Sequence, residues 1–237
     1  VKLYVNGDSH AAAAEAVNQH AFAEDDGRYF YLGRAPHPDN AQKSWARKLS
    51  DVLKTALYLD AESASSNQRI IRTTREWVQT HKEYMYETLV IIQWSTWERE
   101  EWQDSSGRYH QVNASGIDDV PEDLKQRYKE FVVGVDWSRC TRNSHDQIWQ
   151  FHLELKAQGI KHIFFNGNNH FEKISQDQRH DWGTSYIGPY DPAQTYDAWL
   201  KSNGYSTVSP NSWHFGEHAH TAWSRFVLQY IVTNKYI

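Results

Sequence analysis

A serine hydroxyl becomes a useful nucleophile at neutral pH only when a histidine can take its proton, usually with a third side chain orienting the ring. Two stretches near opposite ends of the 237-residue chain carry these residue types. VKLYVNGDSH (1–10) breaks an apolar run on Asn6-Gly7-Asp8-Ser9-His10, and PNSWHFGEHAHTAW (210–223) holds His214, His218 and His220. Ser9 on its own reads as a helix N-cap ahead of four alanines, and Asp8 as a cap or turn residue. With thirteen histidines in the chain, the presence of one proves little, so its position must decide. The spacing His214-x3-His218-x-His220 invites a metal reading. However, His214 precedes the expected helix start at Gly216, and Glu217 is the one carboxylate close by, so no metal is expected.

The elements that must position these residues alternate. Short β-rich runs at Lys2–Asn6, Ala56–Asp60, Thr88–Trp94 and Lys161–Asn166 read as buried strands, with a shorter fifth at Tyr205–Ser209. Helical spacing covers 39–54, 68–80, 138–158, 193–203 and 216–231, with Gly159 and Gly204 as stop signals. Strand and helix in alternation predict parallel βαβ units. The expected fold is therefore a three-layer α/β/α sandwich with a mostly parallel five-stranded sheet, in a single domain over 1–237. An insertion over about 98–135 follows the third strand: a hairpin turning at Ser105–Gly107, then a helix with Pro121 at its start. It is placed to act as a lid. In such a sheet the loops after the first and last strands open on one edge, where Ser9 and His214 can meet.

These residues resemble the SGNH, or GDSL-like, hydrolases, whose architecture is the flavodoxin-like α/β/α sandwich. GDSH (7–10) is similar to the block that presents the nucleophile, and NSWHFGEHAH (211–220) to the closing block. The resemblance implies an esterase or acyl hydrolase in which Ser9 attacks, His214 is the base, and Asn211 stands where the family has its acid, three residues earlier. His220 matches a frequent second histidine. The Trp-rich end of the third strand and the stretch SSNQRI (65–70) are similar to phage-type members. Two middle blocks depart from the pattern. The oxyanion glycine is replaced by Ser63 or Ala64, and Trp97 occupies the place of the oxyanion asparagine. Asn67, Ser95, Thr96 or an indole N–H are the substitutes on offer, and Asn166 or Asn168 after the fourth strand can line the cleft. Arg69, Arg72 and Arg99 are candidates for an anionic substrate group.

Composition bounds the rest. A net charge of −5 with no basic block argues against a nucleic-acid partner. Cys140, the single cysteine, cannot form an intrachain disulfide, and no run is apolar enough to span a membrane, so a cytoplasmic protein is expected, in the host cytoplasm if viral. Neither a dinucleotide nor an ATP motif is present, and no cofactor is implied. The expected partner is a small-molecule or glycan ester. Eleven tryptophans, many beside polar residues, also suit the alternatives: a carbohydrate- or protein-binding module that keeps the fold with an impaired site, or a phage structural or host-interaction protein.

Overall fold

A computed structural model of the chain describes residues 1–18, 35–116 and 120–237. The elements run β1 (Lys2–Asn6), α1 (Pro38–Ala41), α2 (Trp45–Leu53), β2 (Leu57–Leu59), α3 (Asn67–Thr80), β3 (Thr88–Trp94), β4 (Glu100–Gln103) and β5 (Tyr109–Val112). There follow α4 (Lys125–Gly134), α5 (Trp137–Ala157), β6 (Lys161–Asn166), β7 (Tyr186–Ile187), α6 (Tyr196–Ser202) and α7 (Glu217–Thr233). Five strands form one sheet in the order β2-β1-β3-β6-β7, with every pairing parallel.

The strands are apolar on both faces because both faces are covered. Leu3, Val5, Leu89, Ile91, Ile163 and Phe165 pack against α2, α6 and α7 through Trp45, Leu49, Leu200, Trp223 and Val227. Their alternating neighbours Tyr4, Val90, Ile92 and Phe164 face Ile70 and Ile71 of α3 and Ile148, Phe151 and Leu155 of α5. The result is the three-layer α/β/α sandwich. From β1 the sheet grows outward to β2 on one side and β3 on the other, so the order reverses between β1 and β3. Open α/β sheets hold ligands in the crevice above such a reversal, at the carboxyl ends of the strands.

The inserted segment follows β3 as expected. β4 and β5 pair antiparallel, and Trp102, Val112, Val120, Leu124 and Tyr128 give the insertion a small core of its own. Residues 117–119 within it lie outside the described residues.

Three expectations need correction. The fifth strand is not Tyr205–Ser209: there Thr207 makes an isolated antiparallel bridge to Phe215, and the sheet's edge is the two-residue β7, paired with Phe164 and Phe165. Two residues are too few for any periodicity to reveal. The helix expected over 39–54 is broken into α1 and α2, with Ser44 capping α2 through a bond from Arg47 N. The alanines after Ser9 form no helix either. Residues 8–16 coil in successive turns (Ala12 N to Asp8 O, Ala14 N to Ser9 O), and Ala13 and Glu15 are left-handed at φ 57 and 61. Ala11–Ala14 are fully buried beneath the crevice, where small side chains are what fits. Gly7 serves the same close packing: a Cβ there would lie 2.7 Å from Ala11 Cβ and 3.0 Å from Gln93 O.

Candidate active site

A cleft of about 540 Å³ opens at the carboxyl edge of the sheet. Ser9, after β1, lines it together with Ser63 and Ala64 after β2, Thr96 and Arg99 after β3, Asn168 and Asn169 after β6, and His214 ahead of α7. Asn113 and Trp137 reach it from the insertion side and the start of α5, and Trp213, 71% exposed, stands at its mouth. Ser9 Oγ has no hydrogen-bond partner among the described residues; it shares the cleft with His214 but is not bonded to it. Catalytic hydrogen bonds are often long before substrate binds.

His214 is held from behind. Its Nδ1 lies 2.6 Å from Glu15 Oε2, and Ser212 Oγ donates to the same oxygen at 2.5 Å while accepting from His214 N at 2.9 Å. An ionised carboxylate only accepts, so Nδ1 carries a proton, and in the neutral ring Nε2 is then the nitrogen with the free lone pair. Burial opposes charge on Glu15, but the bonds from Ser212 and His214 outweigh it and hold the carboxyl below its ordinary range. Glu15 reaches this position because the left-handed turn at Ala13–Glu15 folds the chain back, a conformation that costs a non-glycine residue roughly 1–2 kcal/mol. Strain of this kind clusters at functional sites. Sequence reading did not single out Glu15; its sole advance signal is a carboxylate six residues after the serine.

Asn211, by contrast, is exposed and makes no bond to His214. The backbone of 208–214 forms a tight loop (Val208 N to His214 O, Ser212 N to Ser209 O) that brings Ser212, not Asn211, under the ring.

The loop that carries Ser9 is tied to the end of β3. Asp8, 1% exposed, accepts from His10 N at 3.0 Å, from Ser95 Oγ at 2.9 Å and from Arg99 Nη1 at 3.3 Å. Arg99 also donates to Ser95 Oγ. Asn67 braces the same loop, accepting from Ser95 N at 2.9 Å. Asn67 and Ser95 are therefore structural ties here, and Thr96 Oγ1 donates to Glu98. Trp97 turns into the core, stacked on Phe171 at 5.0 Å with its indole N–H on His170 O, so its ring does not reach the cleft. Asn166 is likewise buried behind the edge, accepting from Tyr186 and donating to Pro189 O. Of the side chains named for β6's end, Asn168 lines the cleft; its Oδ1 and that of Asn169 are buried without a partner. The backbone N–H groups of Ser9 and Ala64 donate to no described residue. Ala64 is left-handed at φ 64.

His10 and His220, beside the site, are structural. His10 packs between Tyr196 and His214, and burial lowers its pKa to about 4. His220 accepts from Trp45 N at 3.3 Å, and burial lowers it to about 3. With His214 Nδ1 spent on Glu15 and His218 exposed, the three do not converge on an ion. Elsewhere His145, Asp146 and His180 bring ligand atoms within 4.8 Å of one another. There His145 Nε2 bonds Tyr190, and its ring stacks on His180 at an 8° tilt, so the lone pairs of the two rings lie in nearly parallel planes. Arg69 is paired with Glu62 and Asp60, and Arg72 with Glu101 and Glu76. Neither lines the cleft.

No protein-family model matches the chain, and no curated protein matches it by sequence. Solved structures do. One is Est2A, an acetyl xylan esterase from the rumen bacterium Butyrivibrio proteoclasticus, with a TM-score of 0.50 and 11% identity over 98% of this chain and 64% of that one. Another is a protein described as lipolytic, of the G-D-S-L family, from Desulfitobacterium hafniense DCB-2 (TM-score 0.47, 12% identity, 97% and 98% covered). The likeness to the esterase shows the fold alone, a three-layer α/β/α sandwich. Among the described residues no helix is long and apolar enough to cross a membrane.

Proposed function

We propose that this SGNH-type fold carries a serine ester hydrolase whose third catalytic member is Glu15. The observation that carries the reading is the 2.6 Å contact from Glu15 to His214 Nδ1, which leaves Nε2 as a free base in the cleft that Ser9 lines. Ser9 Oγ attacks the acyl carbon as its proton passes to His214 Nε2, and the negative charge of Glu15 stabilises the imidazolium that forms. The N–H groups of Ser9 and Ala64 receive the developing oxyanion. Collapse of the tetrahedral intermediate expels the alkoxide, which takes the proton from His214. Water, deprotonated by the same nitrogen, then attacks the acyl carbon; the bond to Ser9 Oγ breaks, the acid leaves, and His214 returns the proton to Ser9. Without an asparagine side chain in the oxyanion site, the rate on simple esters falls on the order of 10²–10³ below a fully equipped site.

The cleft suits a short acyl group on a hydroxyl-bearing carrier. Trp137 and Trp213 offer ring faces, and the orphaned Oδ1 atoms of Asn168 and Asn169 can only accept, as from sugar hydroxyls. The acetyl xylan esterase fold likeness points the same way. The test is hydrolysis of p-nitrophenyl acetate and of peracetylated sugars by wild type, Ser9→Ala and His214→Ala. Cleavage by wild type that both variants abolish, with circular dichroism unchanged, supports the reading. Full activity in Ser9→Ala, or inertness of wild type toward every ester, overturns it and leaves a binding role on the same fold.

A further inference from the structure

Arg99 lines the cleft and also stands in the wall of a second cavity of about 350 Å³, and this one shares Gln68, Asp146 and Gln147 with a third of about 300 Å³. Taken together, the cavities outline a groove that follows the seam between α3 and α5, with Arg99 standing between it and the cleft. Its polar lining sets uncharged side chains, Gln68 from α3 and Asn143, Ser144, Gln147 and Gln150 from α5, among Arg72, Arg75, Arg99, Glu100 and Asp146. Asn143, Gln147 and Gln150 are spaced by four and three residues, which puts their amides on one helix face over about 10 Å, the length of about two sugar rings. Gln68 Oε1 is buried and has no partner. The esterase chemistry proposed above uses none of these residues.

We infer that this groove holds a neutral polysaccharide chain whose esterified unit lies in the cleft, an inference that deepens the hydrolase reading and rests on it for the position of the ester. The groove's cations argue against a polyanion. Arg72 is bound to Glu101 at 2.7 Å, Arg75 to Glu154 at 2.7 Å and Arg99 to Asp8 at 3.3 Å, so each already has a carboxylate among the described residues. A lipid tail fits no better, because the amides would lose water and gain nothing. Side-chain amides present a donor and an acceptor side by side, the complement of a hydroxyl, which is both.

The test uses wild-type protein and unesterified probes: xylose, glucose and N-acetylglucosamine oligosaccharides of one to six units, with polygalacturonate as the anionic control, measured by titration calorimetry. One neutral series should bind about tenfold more tightly as it lengthens past the cleft, since each added hydrogen bond is worth about five- to tenfold. Gln68→Ala with Gln147→Ala should erase that gain while kcat/KM on p-nitrophenyl acetate stays unchanged. Asn143→Trp, which fills the groove instead of emptying it, should do the same. No binding by any neutral series, a gain that survives both variants, or tighter binding of polygalacturonate would overturn the inference. Because the probes carry no ester, failure of the hydrolase reading shows separately, as inertness toward aryl acetates.

Discussion

Glu15 and Asn211 make opposite claims on His214, and they can be separated by one atom each. Glu15→Gln keeps a hydrogen-bonding side chain but removes the charge that stabilises the imidazolium, so kcat should fall by about 10³–10⁴ with KM little changed. Asn211→Asp adds a carboxylate to an exposed position that does not touch the ring, and kcat/KM should stay flat. Steady-state kinetics on p-nitrophenyl acetate read both; a rate gain in Asn211→Asp with a silent Glu15→Gln would reverse the assignment. Ser9 and His214 were legible as candidates because their places after the first strand and before the last helix follow from the alternation of elements. Glu15 was not. Its role depends on left-handed backbone at Ala13 and Glu15, which nothing in a run of alanines announces. Trp97 misled for a related reason: its place after the third strand gives its position in a loop, whereas stacking on Phe171 decides its direction.

At the scale of the elements, the reading succeeded where long apolar runs are buried on both faces, as in β1, β3 and β6. It failed where an element is short or its signal is shared, as in β7 and the Ala11–Ala14 turns. Those turns lean on Gly7, whose missing side chain lets β1's exit pass against Ala11 and the Gln93 backbone. Gly7→Ala should therefore overpack the base of the cleft, costing about 1–3 kcal/mol and, for a chain of this size, lowering Tm by on the order of 5 °C. Thermal melts followed by circular dichroism check this. An unchanged Tm would mean that the loop shifts freely, and the position of Ser9 would then not be fixed by packing.

At the scale of the whole molecule, several described histidines are buried and pushed toward the neutral form, His10, His162 and His220 furthest. Burial is the main cause in each case, lowering His10 and His162 to about 4 and His220 to about 3. Unfolded, each takes up a proton near pH 6.5, so between about pH 6.5 and 4 the unfolded chain binds more protons than the folded one. Stability should hold above pH 7 and fall steadily through that window. Glu15 adds to the loss at lower pH, since its depressed carboxyl contributes stability that disappears as pH falls through its folded pKa. Tm measured from pH 8 to pH 4 should show the decline beginning near 6.5, well above the carboxylate range. A Tm that stays flat down to pH 5 would contradict it.

The central claim is that Ser9 is a nucleophile activated by a Glu15-held histidine. A fluorophosphonate reacts covalently with such a serine and with few others, so intact-mass and peptide mass spectrometry after labelling test it without knowledge of the substrate. The account predicts one adduct per chain, on the peptide containing Ser9, formed far more slowly in Glu15→Gln and His214→Ala and at the wild-type rate in Asn211→Asp. No adduct on the folded protein, or an adduct on a different residue, would contradict it.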